Sequence, residues 1–261
     1  MPGSLFDDVA DHYDAARPSY PGQFYDALEE ITGPLAGQIV LDGCAGTGIA
    51  TRQLGERGAR VTGYDIGERM LRRAKARGPE VPYLMTDGNM LPFRDGCADL
   101  ACFAQSWHWL DHDRASREVA RVLRPGGHWA AWWNHSVADG EEWHDAYQDA
   151  LEAACPRYGR EQSNTDWSLE PIRATGLFGP GARVTVSWTR LVTAADWITD
   201  QRSKSYVAAL SHEERELLLA RIAGIVGGRF PDGRMTVPYR TGAWIARRLL
   251  PAGSAAGQAS A

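Results

Sequence analysis

The sequence has few cysteines, no surplus of basic residues and no long apolar run, and each shortage argues against a class of protein. Four cysteines are scattered through 261 residues without paired spacing, which fits a reducing cytosol. Lys and Arg number 28 against 33 Asp and Glu, and this net charge of −5 argues against non-specific nucleic-acid binding. No apolar run approaches the roughly 18 residues of a membrane span. Residues 1–8 lack the pattern of a secretory signal, so we expect a cytoplasmic protein without nucleic-acid or membrane partners.

Apolar residues are plentiful and make up 44% of the chain, which is ample for a core. At about 150 residues per domain, the length allows one large domain or two modest ones. Ten Trp and nine Tyr stand out in the composition. They suggest a pocket as well as a core, although core packing alone could use most of them.

Strand-like and helix-like segments alternate over the first half of the chain, as in βαβ units with a parallel sheet. Strands are predicted at 38–41, 60–64, 81–85, 98–103 and 128–133, with helices at 49–57, 68–77 and 114–123. After Asn134 the pattern predicts a helix over 141–154, a loop-rich segment over 156–181, a strand over 183–190, helices over 195–227 and a last strand within 235–250. We therefore predict an α/β fold: a doubly wound, Rossmann-like, mostly parallel seven-stranded sheet with helices on both faces and a small helical cap.

This pattern also predicts how the chain is divided. Residues 1–30 are expected to form an N-terminal helical lid and residues 31–250 the main domain. Within that domain, residues 135–182 and 194–232 are expected to supply a cap over the substrate. The small, polar residues 251–261 are expected to be a disordered tail.

A glycine-rich loop follows the first predicted strand, and it carries Gly46 and Gly48 behind Asp42. In doubly wound sheets, ligands bind beyond the carboxyl ends of the strands, and glycine lets them approach the backbone closely. A nicotinamide loop would need a third glycine where Thr51 stands, and a phosphate loop would need a lysine that is absent here. The loop alone is a weak signal of a nucleotide-like ligand.

Two further acids follow the next two strands and sharpen this prediction. Asp65 ends the second strand, where an acid can accept both ribose hydroxyls of a nucleoside. Asp87 follows the third strand and could accept from an adenine amino group, with Gly88 and Asn89 supplying backbone contacts. Three acids around one site disfavour a pyrophosphate and suit a nucleoside that carries positive charge. S-adenosylmethionine is such a ligand.

Taken together, these motifs resemble those of class I S-adenosylmethionine-dependent methyltransferases. The resemblance rests on residues 40–48, on Asp65 after Thr62-Gly63-Tyr64, on Asp87 before Leu91-Pro92-Phe93 and on Leu123-Arg124-Pro125-Gly126-Gly127. The N-terminal residues from Phe6 to Pro21 and the run Gln105-Ser106-Trp107-His108-Trp109 are reminiscent of a small-molecule subgroup that includes trans-aconitate methyltransferase-like proteins. The resemblance covers about half of the chain strongly, residues 6–134.

The resemblance implies a role for each matching residue in binding S-adenosylmethionine. Asp42, Gly46 and Gly48 would face the methionine part, Asp65 the ribose, and Asp87 with Gly88 and Asn89 the adenine. Tyr13, Arg17 and Tyr20 would close over the cofactor, and Ile66 and Gln105 complete the cofactor set. A plain N-terminal packing helix is the alternative for Tyr13, Arg17 and Tyr20. In one departure from the family, its first loop glycine falls on Cys44, with Gly43 one place early.

The acceptor side is expected to be aromatic, because indole faces favour a sulfonium without competing as nucleophiles. Trp107, Trp109 and Trp133 are the predicted walls, and Asn134, His135, Arg202 and Tyr206 are further substrate candidates. His108 is the candidate general base for a hydroxyl acceptor, or else a histidine packed among indoles; a carboxylate or tertiary nitrogen would need no base. For Arg202, a surface salt bridge is the alternative. His108 and His112 stand four apart without a recognisable third ligand, so no metal site is predicted.

The sequence thus predicts a methyltransferase that acts on a small molecule, a metabolite or natural-product intermediate, by in-line methyl transfer. We expect it to be a monomer or homodimer. Two alternatives stay open at this point. One is a methyltransferase-fold enzyme repurposed for a cyclisation or elimination, which the cysteine at position 44 keeps in view. The other is a non-catalytic subunit that merely binds the nucleoside.

Overall fold

A seven-stranded sheet organises the protein in a computed structural model that describes residues 17–159 and 169–250. The strands follow the order β3-β2-β1-β4-β5-β7-β6. Strands β1 to β5 pair in parallel, whereas β7 is antiparallel to both β5 and β6. The predicted doubly wound, mostly parallel sheet with seven strands is confirmed.

The strands are β1 (Ile39–Gly43), β2 (Arg60–Asp65), β3 (Tyr83–Met85), β4 (Ala98–Ala104), β5 (Leu123–Ser136), β6 (Ala182–Thr193) and β7 (Arg234–Arg247). Strand β5 begins five residues earlier than the predicted His128, and it continues through Pro125-Gly126-Gly127 instead of stopping there. Gly127 permits this, because a Cβ atom on it would lie 2.9 Å from the Asp99 carbonyl oxygen. The glycine lets the two strands approach where a larger residue would separate them.

The helices are α1 (Gly22–Thr32), α2 (Ile49–Glu56), α3 (Glu68–Arg77), α4 (His112–Val122), α5 (Glu142–Ala154), α6 (Glu170–Ala174), α7 (Ala194–Arg202), α8 (Ser205–Ala208) and α9 (His212–Arg229), with a 3-10 turn at Trp107–Trp109. Polar side chains cap the N-termini of several helices. The Asp111 side chain accepts from the backbone N–H of Arg114 to begin α4. Ser211 and Glu214 form a reciprocal capping box at the start of α9. None of the described helices is long and apolar enough to cross a membrane.

Each face of the sheet carries its own core. Along β5, Trp129, Ala131 and Trp133 enter one buried cluster, whereas Ala130 and Trp132 enter the other. This alternation follows from the two-residue period of a strand. Both faces are therefore covered, which is the architecture that parallel strands require.

Helix α1 lies in a segment for which we predicted a lid. Its Phe24 and Leu28 are fully buried in the second cluster, and the Phe24 ring lies 5.1 Å from the Trp132 ring. The predicted lid boundary at residue 30 falls inside this helix. The expectations for residues 1–16 and for the tail 251–261 lie outside the described residues.

A third buried cluster forms the cap. Trp143 and Leu151 of α5, Trp197 of α7 and Ile222 of α9 pack against Val237 at the start of β7. The short helix α6 lies elsewhere, because its Ile172 joins the core on one face of the sheet. Helix α6 therefore packs against the sheet and not with the third cluster. The substrate cap predicted over residues 135–182 stays a prediction.

The cap is carried by the hairpin of β6 and β7. Ser136, the last residue of β5, pairs with Tyr239, so residues 234–238 of β7 pair with β6 alone. The hairpin extends past the carboxyl edge of the parallel strands. Helices α7 to α9 connect its two strands at that extended end and so lie above the edge where β1 and β4 finish.

Candidate functional site

The loop between β1 and α2 makes a tight turn at the carboxyl edge of the sheet. Gly46 and Gly48 have φ angles of 55° and 75°, in the left-handed region that glycine adopts at little cost. Cys44 has a φ angle of 51°, so a cysteine adopts this conformation at the position that corresponds to a family glycine. The loop keeps its turn with a cysteine at this position.

The positions of this loop that hold glycine lack room for a side chain, or leave room for a ligand, in different ways. A Cβ atom on Gly43 would overlap the Phe103 ring, and one on Gly48 would overlap the Tyr83 hydroxyl. A Cβ atom on Gly46, by contrast, would meet no described protein atom within 4 Å. Gly43 and Gly48 therefore permit close packing inside the protein. The space over Gly46 is open to a ligand that approaches the backbone.

Asp42 ends β1 with its side chain fully buried. Its Oδ2 atom accepts a hydrogen bond of 2.5 Å from Thr51, the residue at the position of the absent third glycine, and its Oδ1 atom lies 3.6 Å from the Cys102 sulfur. Burial raises the pKa of Asp42 from 3.8 to about 7, and the negative charge of Asp65 adds to this rise. The hydrogen bonds from Thr51 and Cys102 lower the pKa, but they do not offset the effect of burial. Asp42 was predicted to face a ligand directly. It faces inward instead and braces the first turn of α2 against β1.

Asp65 ends β2 and faces the glycine loop. One carboxylate oxygen accepts from the Gly46 N–H and the other from the Gly67 N–H, both at 2.8 Å. Beside it, Ile66 is 56% exposed, and Met85, the register partner of Asp65, is 61% exposed. An anchored carboxylate next to uncovered apolar side chains suits a ribose that carries a flat base.

The turn after β3 is organised by its own side chains. Asp87 Oδ1 accepts from the backbone N–H of Asn89 at 2.9 Å and from its side-chain amide at 2.8 Å. The Asn89 side-chain oxygen accepts in turn from the Asp111 N–H at 2.8 Å, which ties the turn to the start of α4. Gly88 is buried, and a Cβ atom on it would overlap Leu110. The exposed carboxylate of Asp87 is thereby held at the same edge as Asp65.

A narrow cleft opens between the glycine loop, the end of β4 and the residues before α1. Its lining includes Arg17, Tyr20, Cys44, Gly46, Thr47 and Gln105. The structure thus brings together four of the predicted cofactor residues, Arg17, Tyr20, Gly46 and Gln105. Gln105 has a φ angle of 61°, and its N–H donates to the Trp132 carbonyl at 2.8 Å.

Two residues before α1 close one side of this cleft. The Tyr20 N–H donates to the Gln53 side-chain oxygen at 3.1 Å, and the Gln53 amide donates back to the Tyr20 carbonyl at 2.8 Å. Arg17 donates to the Ser203 carbonyl at 3.0 Å, and its Nε atom lies 3.5 Å from Asp200. Arg17 therefore joins the cleft to the cap. Tyr13, the third residue of the predicted set, lies outside the described residues.

The 3-10 turn after β4 separates the aromatic residues predicted to wall the acceptor site. Trp107 is fully buried, with its ring 4.6 Å from that of Phe103 and stacked on His112 at 5.6 Å. It belongs to the core and does not wall a site, contrary to the prediction. Trp109 is 38% exposed, and its ring lies 4.7 Å from His108.

His108 keeps an exposed edge between two indoles. The Trp133 indole N–H donates to its Nδ1 atom at 3.4 Å. The surrounding protein lowers the pKa of His108 to about 4 through loss of hydration, and the neighbouring His112 lowers it further. The imidazole is therefore neutral near pH 7.

Asn134 and His135 follow Trp133 at the end of β5. The Asn134 side chain accepts from the Thr241 hydroxyl at 2.6 Å and donates to the Ser19 carbonyl at 3.2 Å, so it links β5, β7 and the segment before α1. Burial lowers the pKa of His135 to about 4, with smaller effects from Lys204 and Arg240. The Asn134 carbonyl lies 3.5 Å from the side-chain amide of the cleft residue Gln105, and the Asn134 side chain is committed to bonds within the protein.

The remaining substrate candidates lie in the cap, away from the cleft lining. Arg202 forms a pair of hydrogen bonds with Glu216 of α9, at 2.5 and 2.9 Å, which is the salt bridge considered as its alternative. The half-buried Tyr206 packs its ring 5.0 Å from that of Tyr158.

A buried charge cluster in the cap was missed by the sequence analysis. The fully buried Asp200 has Arg17 within 3.5 Å, Arg190 within 3.4 Å and Lys204 within 3.5 Å. Burial lowers the pKa of Lys204 to about 8, although Asp200 opposes this shift. These residues come from distant parts of the chain, so no local spacing signals the cluster. Within residues 17–159 and 169–250, no group of three or more His, Cys, Asp or Glu side chains could hold a metal ion.

Comparison with known proteins finds similar sequences and a similar fold. A family model described as a methyltransferase domain matches residues 41–131. An uncharacterised methyltransferase of Mycobacterium tuberculosis is 43% identical over 122 residues, which are 47% of this chain and 49% of that protein. The chain thus spans about half the length of these first relatives.

Longer matches extend the similarity. A demethylmenaquinone methyltransferase of Mycolicibacterium paratuberculosis is 34% identical over 66% of this chain and 77% of that protein. A methyltransferase-like protein of Schizosaccharomyces pombe is 28% identical over 82% of both chains. A solved structure of a candidate type II methyltransferase from Anaeromyxobacter dehalogenans has a TM-score of 0.67 and 24% identity, and it covers 90% of this chain and 99% of that one. This last likeness concerns the fold.

Proposed function

Because this chain belongs to the family of class I S-adenosylmethionine-dependent methyltransferases, we propose that it binds S-adenosylmethionine and methylates a small molecule, a metabolite or a natural-product intermediate. One observation carries the proposal: the open space over the Gly46 backbone lies directly beside the Asp65 carboxylate. S-adenosylmethionine, when bound, supplies a methyl group that is already activated by a positively charged sulfur.

Residues in the cleft and at the neighbouring strand ends suit each part of this cofactor. Asp65 offers its carboxylate to the ribose hydroxyls, and the exposed Ile66 and Met85 offer apolar contact to the adenine. Asp87, held by Asn89, offers an acceptor for the adenine amino group. Arg17 lines the same cleft as Gly46 and supplies a cation for the methionine carboxylate.

The chain's task in such a reaction is to align the two partners and exclude water. The acceptor side lies between the exposed Trp109, the pair of Trp133 and His108, and the cap that Arg17 ties to the cleft. The N-terminal motifs resemble those of trans-aconitate methyltransferase-like proteins, and one relative is named for demethylmenaquinone. Both similarities support a small acceptor. We further propose that the protein acts in the cytoplasm, as a monomer or homodimer.

Retained methyl transfer is favoured over a repurposed, non-methylating chemistry. That alternative depended on the cysteine at position 44. Because Cys44 adopts the left-handed conformation of a glycine, the loop geometry that a cofactor needs is kept.

Titration calorimetry with S-adenosylmethionine and S-adenosylhomocysteine tests the proposal. We expect the wild-type protein to bind both, and Gly46→Ala to weaken binding at least about tenfold, since the new methyl group enters the ligand's space. Gly37→Ala is the matched control, because Gly37 has a φ angle of 80° and equally open space but precedes β1 at the opposite edge of the sheet. Absence of binding to the wild-type protein, or equal binding by Gly46→Ala, would contradict the proposal.

A further inference from the structure

The turn after β3 presents one oxygen of Asp87 at the cleft. Oδ1 of Asp87 accepts the two hydrogen bonds from Asn89, whereas no group of the described residues donates to Oδ2. The Asp87 side chain is exposed, so Oδ2 is accessible to a ligand. The turn also lies against the cleft, because a Cβ atom on Gly88 would be 3.7 Å from the sulfur of Cys44, which lines it.

The residue that follows this turn is held by two side chains of α4. The Met90 N–H closes the turn by donating to the Asp87 carbonyl at 3.1 Å, and the chain then continues to the buried Leu91. Glu118 accepts from the Leu91 N–H at 2.9 Å, and Arg121 donates to the Leu91 carbonyl at 2.8 Å. Both polar groups of the Leu91 backbone are therefore bonded to the helix.

Arg121 holds the next residues of the same loop as well. Its Nη1 group donates to the Phe93 carbonyl and to the Asp95 carboxylate, both at 2.7 Å. It is also paired with Glu118 at 2.8 and 2.9 Å, and this hydrogen bond holds the pKa of Glu118 below its usual range, so the carboxylate is ionised near pH 7. A guanidinium presents its donors in one rigid plane. Arg121 therefore fixes residues 91–95 in a single arrangement.

Helix α4 thus anchors the turn on both sides. At the start of the helix, the Asp111 N–H donates to the Asn89 side chain at 2.8 Å. Near its end, Glu118 and Arg121 hold Leu91. Because one rigid helix carries both anchors, the turn is ordered before a ligand arrives, and binding then costs less free energy of ordering.

We propose that Arg121 is a positioning residue for base recognition: by holding residues 91–95 on α4, it directs the Asp87 carboxylate at the 6-amino group of the base and makes the protein selective for adenine. This inference rests on the proposed binding of S-adenosylmethionine. Arg121 acts through the backbone of the turn and does not touch the ligand. The sequence analysis did not single out this residue, because its partners are backbone groups that no local spacing reveals.

Calorimetry on the full chain with two probes tests this selectivity. The probes are S-adenosylhomocysteine and its analogue with unsubstituted purine as the base, which lacks only the amino group that Asp87 would accept from. We expect the wild-type protein to prefer S-adenosylhomocysteine at least about tenfold, because hydrogen bonds to charged groups are the strong ones.

Arg121→Lys should reduce this preference at least about threefold, since an ammonium cannot reproduce the planar set of bonds. The loss should fall on S-adenosylhomocysteine and leave the affinity for the purine analogue nearly unchanged. Arg117→Lys is the matched control, because it makes the same change at an exposed position of α4. It should keep the wild-type preference. A preference retained in Arg121→Lys overturns the inference.

A double-mutant cycle tests whether Arg121 acts through Asp87. Asp87→Asn keeps an oxygen for the bonds from Asn89 but removes the ionised carboxylate, and it should abolish the preference between the probes. Adding Arg121→Lys to Asp87→Asn should then leave the ratio of the two affinities unchanged. A further change in that ratio would show that Arg121 acts by another route.

Glu118→Gln separates this role from a loss of folding. The substitution keeps the shape of the side chain and an oxygen for the Leu91 N–H, but it removes the charge paired with Arg121, so it should lower the preference in the same direction. If Arg121→Lys binds neither probe, a wild-type preference in Glu118→Gln contradicts the inference. A wild-type protein that binds both probes equally also contradicts it, whereas one that binds neither contradicts the proposed function.

Discussion

At the scale of single residues, the cleft contains two residues other than glycine whose backbone adopts a conformation typical of glycine. Cys44 and Gln105 both have positive φ angles, and both line the cleft. Such residues cost of order 1–3 kcal/mol each and tend to cluster where a ligand is bound. Their coincidence at one cleft supports the location of the site independently of the motifs.

The strain at Cys44 predicts how substitutions there behave. We expect Cys44→Gly to change the free energy of unfolding by less than about 1 kcal/mol, because relief of strain offsets the lost packing of the thiol. Cys44→Val should lower the free energy of unfolding by about 2 kcal/mol, since a β-branched residue tolerates the left-handed region poorly. Urea denaturation of the two variants measures this difference. A Cys44→Val protein as stable as Cys44→Gly would show that position 44 is unstrained.

The buried Asp42 predicts a pH dependence of stability. Its pKa is raised from 3.8 to about 7, so the folded state holds a proton that the unfolded chain has already released. Stability is therefore fully present below pH 4 and falls as the pH rises towards 7, by at most about 1.4 kcal/mol per pH unit. Asp42→Asn removes the ionisable group and with it this pH-dependent contribution to stability. The difference between wild-type and variant unfolding free energies should change between pH 4 and 7 and be constant above it; a flat difference refutes the assignment.

Trp107 is buried in the core whereas the adjacent His108 is exposed, which shows that neighbouring residues of a motif can have different surroundings. A 3-10 turn has three residues per turn, so Trp107, His108 and Trp109 point in three directions about 120° apart. The sequence analysis predicted Trp107 and Trp109 as walls of the acceptor site and His108 as a candidate base. Which of them enters the core depends on contacts with β4 and β5 that a local pattern does not contain.

At the scale of elements, local chemistry predicted the parallel half of the sheet and failed where pairing is long-range. Strands β1 and β2 end at Asp42–Gly43 and Asp65, where apolar runs meet acids and glycines. The placement of β7 between β5 and β6 has no such local signal. A helical lid was predicted over residues 1–30, but the burial of Phe24 and Leu28 of α1 in the core was not.

The charge cluster that ties α7 to the segment before α1 gives a prediction for these elements. Asp200→Asn should lower the free energy of unfolding by about 3 kcal/mol, because three cations lose the buried carboxylate that they share. Glu216→Gln is the matched control: it breaks the more exposed pair with Arg202 and should leave the unfolding midpoint nearly unchanged. Equal effects of both substitutions in urea denaturation would contradict a central role for Asp200.

At the scale of the whole molecule, a cofactor that binds only the folded state should stabilise it by mass action. S-adenosylhomocysteine at 100 times its dissociation constant should add about 2.7 kcal/mol to the free energy of unfolding. For a chain of this size, that raises the thermal midpoint by roughly 5–10 °C. Differential scanning calorimetry measures the shift, and Gly46→Ala at the same ligand concentration should show a smaller one. An unshifted wild-type midpoint would count against the cleft as a cofactor site.

The structure brings more of the residues predicted for the cofactor together than of those predicted for the acceptor, for a physical reason. The cofactor side is built from short loops that follow consecutive strands, so its residues are periodic along the chain. The acceptor side combines Trp133 and His108 with a cap whose polar centre draws on Arg17, Arg190 and Asp200. Only the folded chain brings such residues together.

The hairpin that bears the cap has a practical consequence for protein engineering. Thr193 and Arg234 are register partners, so the polypeptide leaves the hairpin and re-enters it at adjacent points. The segment between them is suited to exchange as a cassette, with the junctions already held by strand pairing, if its buried contacts with Arg17, Arg190 and helix α5 are matched. Chimeras that transplant this cassette from a relative should inherit the donor's choice of acceptor, while the half that holds the proposed cofactor cleft stays native.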